Sequence, residues 1–396
     1  MLDTPLVADP VTEPQAGTPR PRLEIIDKLR GLVIVLMVLD HVRDFFTREP
    51  FSPTDLAHTT VALFATRWIT HLCAPTFVTL AGVAVFLQWE RGKRGLPLVR
   101  FLVTRGLWLI ALELTWVSFG FGFDEPFFLL QVIWAIGMSF ILLAPCTLMP
   151  PAVVLALGFA IVGAHDLLAH VPAPSTPPLD LLWTLFVEPG RIPHGYVPYP
   201  ALPWFGLMAC GFGAGRLFLL APERRDRLLV GLGLAMLAGF ALLRGPDGYG
   251  DPAPWATQQD ATHTILSFLK VTKYPPSLDY TLATLGIVFT IAPAVARLGG
   301  AFGRMILTFG RVPLFVYLIH LYVAHGAAVL TRLAMGVAPR LTFGGRPEDA
   351  LAAAKSGVGL PAVYLAWICV VLALWPLAAW YERLKSRRRD WWLAYL

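Results

Sequence analysis

Long apolar runs, separated by short polar or proline-rich stretches, fill the chain from residue 23 to residue 384. Most of these runs reach the roughly 20 residues that an α-helix needs to cross the hydrocarbon core of a bilayer. The pattern predicts an all-α, polytopic membrane protein of about ten transmembrane helices in one domain. The predicted spans are 26–46, 63–89, 99–121, 127–148, 151–170, 201–220, 227–243, 279–297, 304–330 and 359–381.

The two ends of the chain differ from this apolar middle. Residues 1–22 are rich in Pro, Thr and Ala and contain no apolar run, which predicts a disordered cytosolic tail. Residues 385–396 combine basic side chains with Trp391 and Trp392. Such a tail is typical of an anchor at the membrane surface.

Composition agrees with the membrane prediction. Hydrophobic residues make up 56% of the 396 residues, and charged residues only 15%. A chain of this composition cannot fold around one soluble core. The four cysteines lie in separate apolar segments without paired spacing, so neither a disulfide framework nor a zinc site is expected. The net charge of +6 reflects loop arginines facing anionic lipid, and no nucleic-acid partner is inferred from it.

The distribution of basic residues predicts the orientation. If the N-terminus is cytosolic, roughly two thirds of the 32 lysines and arginines lie on the cytosolic side, although the outer loops are much longer. Both termini are therefore expected in the cytosol. The long outer loops at 47–62, 171–200, 244–278 and 331–358 are expected to admit an acceptor from outside.

The first predicted span carries charged or polar residues on one face. Arg30 and His41 are eleven residues apart, which corresponds to about 1100°, or three turns plus roughly 20°. They therefore share a face, about 16 Å apart along the axis. This places a cation near the inner surface in line with a histidine deeper in the membrane.

Further ionisable residues lie inside the spans, where a charge is costly and usually faces a protein interior or a water-filled cavity. By their distance from the span ends, they all fall in the outer half of the membrane. Some of these residues also allow a purely structural interpretation. Arg43 and Arg67 could extend toward lipid headgroups, Glu113 could form a structural pair with Arg67 or His71, and His325 could be a packed interior residue. The group comprises Asp40, His41, Arg43, Asp44, Arg67, His71, Glu113, His320 and His325.

Of these residues, His41 is the predicted catalytic base, because a neutral imidazole suits a hydroxyl or amine acceptor. Asp44 at i+3, or Asp40, is expected to orient its ring. A second set, at the inner ends of spans one and three, is expected to bind a charged donor. This donor set is Arg30, Lys28, Arg100 and Arg105.

Several segments resemble a known superfamily, the transmembrane acyltransferases. Arg30-x10-His41 is similar to the arginine and histidine motif of the membrane acyltransferase-3 type. The longer pattern resembles the family of heparan-α-glucosaminide N-acetyltransferase and its bacterial relatives from residue 23 onward. It comprises DKLRGLVIVLMVLDH, the Ala74-Pro75-Thr76-Phe77 segment, LLQVIWAIG around Gln131, FGRVPLFVYLIHLYVAH, KYPPSLDYTLATLG and the DWWLAYL ending.

The resemblance implies transfer of an acetyl or other acyl group from cytosolic acyl-CoA to an extracytoplasmic acceptor, expected to be a sugar. It implies a catalytic role for His41 and a donor role for Arg30. In the heparan enzyme, however, asparagine stands where His41 stands, and the catalytic histidine lies in the next outer loop. His58 and His71 therefore remain alternatives to His41. Arg67, Glu113, His320 and Gln131 are expected to line the cavity.

Two other classes of function stay open. A transporter or flippase would use the same intramembrane charges as a substrate or proton path. A non-catalytic membrane subunit would tolerate the loss of His41. No metal site is expected, because nothing in the spacing of His41, His71 and His320 favours zinc. The resemblance implies a bacterial inner-membrane location, and a homodimer remains open.

Overall fold

The computed structural model describes residues 23–123, 127–337 and 356–388, together with Asp390 and Leu393. The predicted N-terminal tail at 1–22 lies outside the described residues, as does half of the predicted interfacial tail at 385–396.

The described residues are mostly helical and contain fifteen α-helices. The helices are α1 (Glu24–Phe46), α2 (Val61–Thr70), α3 (Cys73–Glu90), α4 (Leu96–Leu112), α5 (Ser118–Gly122), α6 (Val132–Cys146), α7 (Pro151–Ala164), α8 (Leu179–Phe186), α9 (Ala201–Gly213), α10 (Pro222–Arg244), α11 (Ala261–Leu269), α12 (Leu278–Ala296), α13 (Gly300–Arg311), α14 (Pro313–Ala334) and α15 (Leu360–Arg387). Glu113–Val117 forms a π-helical turn between α4 and α5, and two 3₁₀ segments, His165–His170 and Gly215–Leu219, extend α7 and α9.

Seven helical segments among the described residues are long and apolar enough to cross a membrane. The protein is therefore an integral membrane protein of mostly helical fold. The seven segments are Val61–Glu90, Pro151–His170, Ala201–Leu219, Pro222–Arg244, Leu278–Ala296, Pro313–Ala334 and Leu360–Arg387. The other three predicted spans correspond to α1, to α4 with its π-helical turn and α5, and to α6.

The second predicted span is not one regular helix, because it breaks at His71 and Leu72 between α2 and α3. Pro75 has no N–H, so the carbonyl of His71, four residues earlier, loses its usual helical hydrogen bond. The hydroxyl of Tyr280 on α12 donates to that carbonyl at 2.8 Å. This hydrogen bond connects the junction of α2 and α3 to a helix that is distant in sequence.

The ninth predicted span, 304–330, is also divided. Its first part belongs to the amphipathic helix α13, and the transmembrane helix α14 begins at Pro313. Proline at the first position of a helix needs no N–H and ends the preceding helical segment.

A small three-stranded sheet was not predicted. It comprises β1 (Phe128–Leu129), β2 (Gly190–Ile192) and β3 (Gly195–Val197) in the order β1-β3-β2. Strands β1 and β3 are parallel, with Phe128 opposite Gly195, and strands β2 and β3 are antiparallel. The strands are too short for a period-two pattern to reveal them. The sheet holds the segment before α6 beside the segment before α9.

Helix α1 lies at the centre of the bundle, in contact with α2, α3, α12, α13, α14 and α15. It crosses α13 closely at two glycines. A Cβ on Gly31 would overlap the carbonyl oxygen of Ile306, and one on Gly310 would overlap the carbonyl oxygen of Asp27. Small residues of this kind let helices approach closely in membrane proteins, where van der Waals packing drives their association.

Candidate functional site

Two adjacent cavities lie along α1. The first has a volume of about 470 Å³ and lies beside the N-terminal half of α1. Its wall is formed by apolar residues of α3, α4, α6 and the start of α14, and Arg30, Gln88, Lys93 and Arg105 supply its charged and amide groups. None of the described lining residues is a carboxylate. We call this space the inner cavity.

The second cavity, the outer cavity, has a volume of about 430 Å³ and lies beside the C-terminal half of α1. Its lining is far more polar. Volumes of this size are typical of sites for small molecules. The charged and amide residues in its lining are Asp40, His41, Arg43, Asp44, Arg67, Gln131 and Lys273.

The face of α1 that periodicity predicts does face these cavities. Arg30 lines the inner cavity, while Met37, His41 and Asp44 line the outer one. Arg30 donates a hydrogen bond to the Leu80 carbonyl at 2.8 Å, which fixes its guanidinium against α3. One helix therefore carries a cation into one cavity and an imidazole into the other.

A buried ion-pair network centres on Asp40. Its carboxylate accepts from Arg67 at 2.6 and 2.7 Å, from Arg43 at 2.7 Å and from the Thr70 hydroxyl at 2.8 Å. Arg43 also pairs with Asp44 at 2.6 Å. Neither arginine reaches for lipid headgroups, so the snorkelling interpretation does not apply. The network ties α1 to α2 where both border the outer cavity.

The expected orientation of His41 by an aspartate is wrong, because Asp40 and Asp44 are engaged by the arginines. Nδ1 of His41 is buried and has no hydrogen-bond partner among the described residues. The imidazole is held by ring contacts instead. Its centroid lies 5.2 Å from that of Phe121 and 5.1 Å from that of His320.

His320 lies directly behind His41 and is fully buried. Its Nδ1 donates to the carbonyl of Tyr317 at 2.5 Å, and its buried Nε2 has no hydrogen-bond partner among the described residues. His320 is therefore a neighbour of the candidate base and does not line either cavity. His325 is packed, as expected, between Phe45 and Phe123 at ring distances of 4.5 and 4.1 Å.

Two sequence predictions about intramembrane charges are corrected. Glu113 does not pair with Arg67 or His71. Its carboxylate accepts from the Trp134 N–H at 2.9 Å, at the N-terminus of α6, where helix dipole and free N–H groups favour an anion. His71 is buried against Tyr280 and does not line the outer cavity.

The inner cavity changes the predicted donor set. Lys28 donates to the carbonyls of Ala296 and Leu298 at 2.7 and 3.0 Å and so caps the C-terminus of α12. Arg100 is exposed. It lies five residues before Arg105 on α4, which corresponds to a rotation of about 500°, so the two side chains leave the helix roughly 140° apart. Lys93, in the loop between α3 and α4, takes their place in the lining.

Sequence reasoning also missed residues of the outer cavity that lie on loops. Lys273 and Tyr274 precede α12, and Tyr199 precedes α9. The Lys273 ammonium lies 5.8 and 5.1 Å from the ring centroids of Tyr199 and Tyr274. Burial raises the pKa of the Tyr274 hydroxyl, but the cations Lys273 and Arg67 outweigh burial and lower the pKa below its ordinary value. In the sequence, the KYPPSLDYT segment at 273–281 was the feature that could have indicated Lys273 and Tyr274.

A family comparison agrees with this arrangement. The model of the family described as heparan-alpha-glucosaminide N-acetyltransferase, catalytic, matches residues 22–239. This match covers more than half of the chain. The protein belongs to this family. No curated protein matches the chain.

The part that matches this acetyltransferase family runs from α1 into α10. It includes Arg30, His41, Arg67 and Arg105, which line the two cavities. Lys273 and His320 lie beyond the match. The site therefore combines the matched helices with the last third of the chain.

His58 is the other histidine that resemblance to the acetyltransferase family leaves open. It lies in the outer loop between α1 and α2, is largely exposed, and pairs through Nδ1 with Asp55 at 2.7 Å. The hydrogen bond to His58 lowers the pKa of the Asp55 carboxyl most, and the hydrogen bond from the Ala57 N–H lowers this pKa further. Ser52 and Pro53 of the same loop line the outer cavity, but His58 does not.

No group of three or more His, Cys, Asp or Glu side chains within the described ranges is placed to hold a metal ion. His41 and His320 meet, but His71 lies elsewhere, against Tyr280.

The ion-pair network predicts that Asp40→Asn is strongly destabilising, because it leaves Arg43 and Arg67 buried without a full counter-charge. Breaking a buried pair from one side typically costs about 3–5 kcal/mol. We expect a loss of this size in the free energy of unfolding, measured by SDS titration of the purified protein. Asp44→Asn is the matched control, since that carboxyl is half exposed and, within the described ranges, forms an ion pair with Arg43 alone. Equal losses for both variants would contradict the central role of Asp40.

Proposed function

We propose that this protein transfers an acetyl or other short acyl group from cytosolic acyl-CoA, bound in the inner cavity, to an extracytoplasmic sugar in the outer cavity. The observation that carries the proposal is the adjacency of two cavities of different chemistry along one face of α1. The inner cavity is cationic and mostly apolar, and the outer cavity contains an imidazole whose Nδ1 has no hydrogen-bond partner among the described residues.

The inner cavity suits the donor. Three cations, Arg30, Lys93 and Arg105, face a space without carboxylates, which favours the phosphates of CoA. Beyond these cations the wall is apolar and accommodates the pantetheine arm. The distance from Arg30 to His41 along α1, about 16 Å, matches an extended pantetheine arm. The thioester then reaches the level of the outer cavity.

The outer cavity suits a polar acceptor. Tyr196, Tyr199 and Tyr274 offer rings and hydroxyl groups to a sugar, and Gln131 offers an amide. The family name supports an amino sugar as acceptor. Sites of this kind discriminate strongly when each buried polar group meets a partner on the substrate.

In the proposed reaction, the acceptor amine or hydroxyl attacks the thioester carbonyl carbon. The new C–N or C–O bond forms and the C–S bond breaks. His41 removes the proton from the acceptor and returns it to the departing thiolate, so that free CoA leaves as a thiol. Nδ1 of His41 has no hydrogen-bond partner among the described residues, so this nitrogen is not committed to another side chain before the acceptor binds.

The proposed topology has ten membrane spans and cytosolic termini. The seven segments that meet length and composition criteria are joined in this proposal by α1, by α4 with its extension, and by α6. Arg30 and Lys93 then face the cytosol, in agreement with the positive-inside rule. A bacterial inner membrane fits this arrangement.

The first test is His41→Ala in purified protein. Loss of a general base typically lowers the rate by about 100-fold or more. We expect that decrease in kcat for CoA release from acetyl-CoA in the presence of glucosamine, with an unchanged melting temperature. His58→Ala is the comparison, and we expect it to retain turnover.

Loss of turnover in His58→Ala, but not in His41→Ala, would assign the base to the outer loop. If the parent protein consumes no acyl-CoA with any sugar, yet moves solute in sealed vesicles under a pH gradient, the protein is a transporter.

The second test concerns the donor site. Arg105→Gln removes a charged donor from the inner cavity, and hydrogen bonds to charged groups are worth about 1.5–3 kcal/mol. We expect CoA affinity to fall by about tenfold or more in calorimetry. Arg100→Gln, on the same helix but outside the cavity, is the matched control and should bind as the parent does. Equal affinities for both variants would refute the donor site.

A further inference from the structure

The inner and outer cavities share two lining residues. Phe77 of α3 and Val132 of α6 belong to both linings, and no other described residue does. The two cavities therefore adjoin at the level of these side chains. Both residues lie on helices, so the width of the junction depends on side chains more than on loop movement.

On the face of α3 that borders both cavities, small residues lie on either side of Phe77, and Val85 and Gln88 follow farther along the inner cavity. Ala74 lines the outer cavity, and Ala81 and Ala84 line the inner one. They follow the three- and four-residue spacing of a single helix face. Phe77 is the one aromatic residue in this row, and it lies where the two cavities meet.

We propose that the Phe77 ring, opposite Val132, forms a neck that closes the passage between the cavities and selects short acyl groups. This inference rests on the proposed acyl transfer and deepens it, because it assigns the residue that limits acyl length. The alanines on either side leave room for the half-buried ring to swing aside. The neighbouring Val78 and Leu80 are fully buried and keep the helix itself in place.

The neck also has a chemical consequence. When it is closed, water in the outer cavity is separated from a thioester held in the inner cavity. When the ring is removed, water can take the place of the acceptor, and water plus acyl-CoA gives the free carboxylic acid and CoA thiol. The neck therefore favours transfer over hydrolysis.

The first experiment tests the neck without relying on catalysis. Ala81→Cys is introduced into a protein whose four native cysteines are replaced, since Cys73 itself lines the outer cavity. A membrane-impermeant thiol reagent is applied to sealed proteoliposomes from either side. We expect labelling of Cys only from the Arg30 side when Phe77 is present, and from both sides after Phe77→Ala.

Phe101→Ala is the matched control, because Phe101 lines only the inner cavity. It removes the same aromatic ring and should leave the sidedness of labelling unchanged. Labelling from both sides in the parent, or labelling from one side in Phe77→Ala, would overturn the neck. Neither result depends on whether the protein is an acyltransferase.

The second experiment uses acetyl-, butyryl- and hexanoyl-CoA with the native cysteines in place. A methylene in an apolar pocket changes kcat/KM by about tenfold or more. We expect Phe77→Ala to raise the ratio of hexanoyl to acetyl transfer by at least about tenfold and to increase acceptor-independent hydrolysis. Phe77→Trp should lower the same ratio.

The two experiments separate the two hypotheses. A change in labelling without any acyl-CoA turnover supports the neck and removes the proposed acyl transfer. An unchanged chain-length ratio in a turnover-competent Phe77→Ala variant refutes acyl selection by Phe77. If the cysteine-free protein is not monodisperse, the chain-length series decides alone.

Discussion

The sharing of one buried carboxylate by two guanidinium groups governs this structure. Asp40 binds both Arg43 and Arg67, and a carboxylate or guanidinium without a counter-charge would be very costly at this depth. The constraint joins α1 to α2 and fixes the rotation of α1. Because α1 is a rigid helix, the same rotation directs Arg30 into the inner cavity and His41 into the outer cavity.

The same constraint explains the state of His41. Both aspartates near it on α1 are occupied by arginines, so the imidazole depends on Phe121 and His320 for its position. Its Nδ1 has no hydrogen-bond partner among the described residues, so the proposed acyl transfer assigns it the role of base.

Helical periodicity correctly predicted which residues share a face of one helix. It failed for side chains whose position depends on contacts with other helices. The shared face of Arg30 and His41 follows from α1 alone. Lys28 was misassigned because its partners, the last carbonyls of α12, lie about 270 residues away. Arg100 was assigned to the donor site because it lies at a similar membrane depth to Arg105. The two residues, however, lie on different faces of α4.

Loops and helix breaks account for the remaining differences. Lys93 and Lys273 lie outside helices, so no periodicity places them at a cavity. His71 lies at the helix break four residues before Pro75, and this proline was the feature of the sequence that could have predicted the break. The strand pairing of Phe128 with Gly195 joins segments far apart in sequence, which a local pattern cannot reveal. The family match, in turn, supports the chemistry and leaves the positions of these side chains to the structure.

The most direct test of the central claim is a cryo-EM structure of the protein bound to a non-hydrolysable thioether analogue of acetyl-CoA. The account predicts the phosphates beside Arg30, Lys93 and Arg105, the pantetheine arm along the inner cavity, and the acyl end at the level of Phe77 within reach of His41. Phosphates in the outer cavity, or an analogue bound away from both cavities, would contradict it.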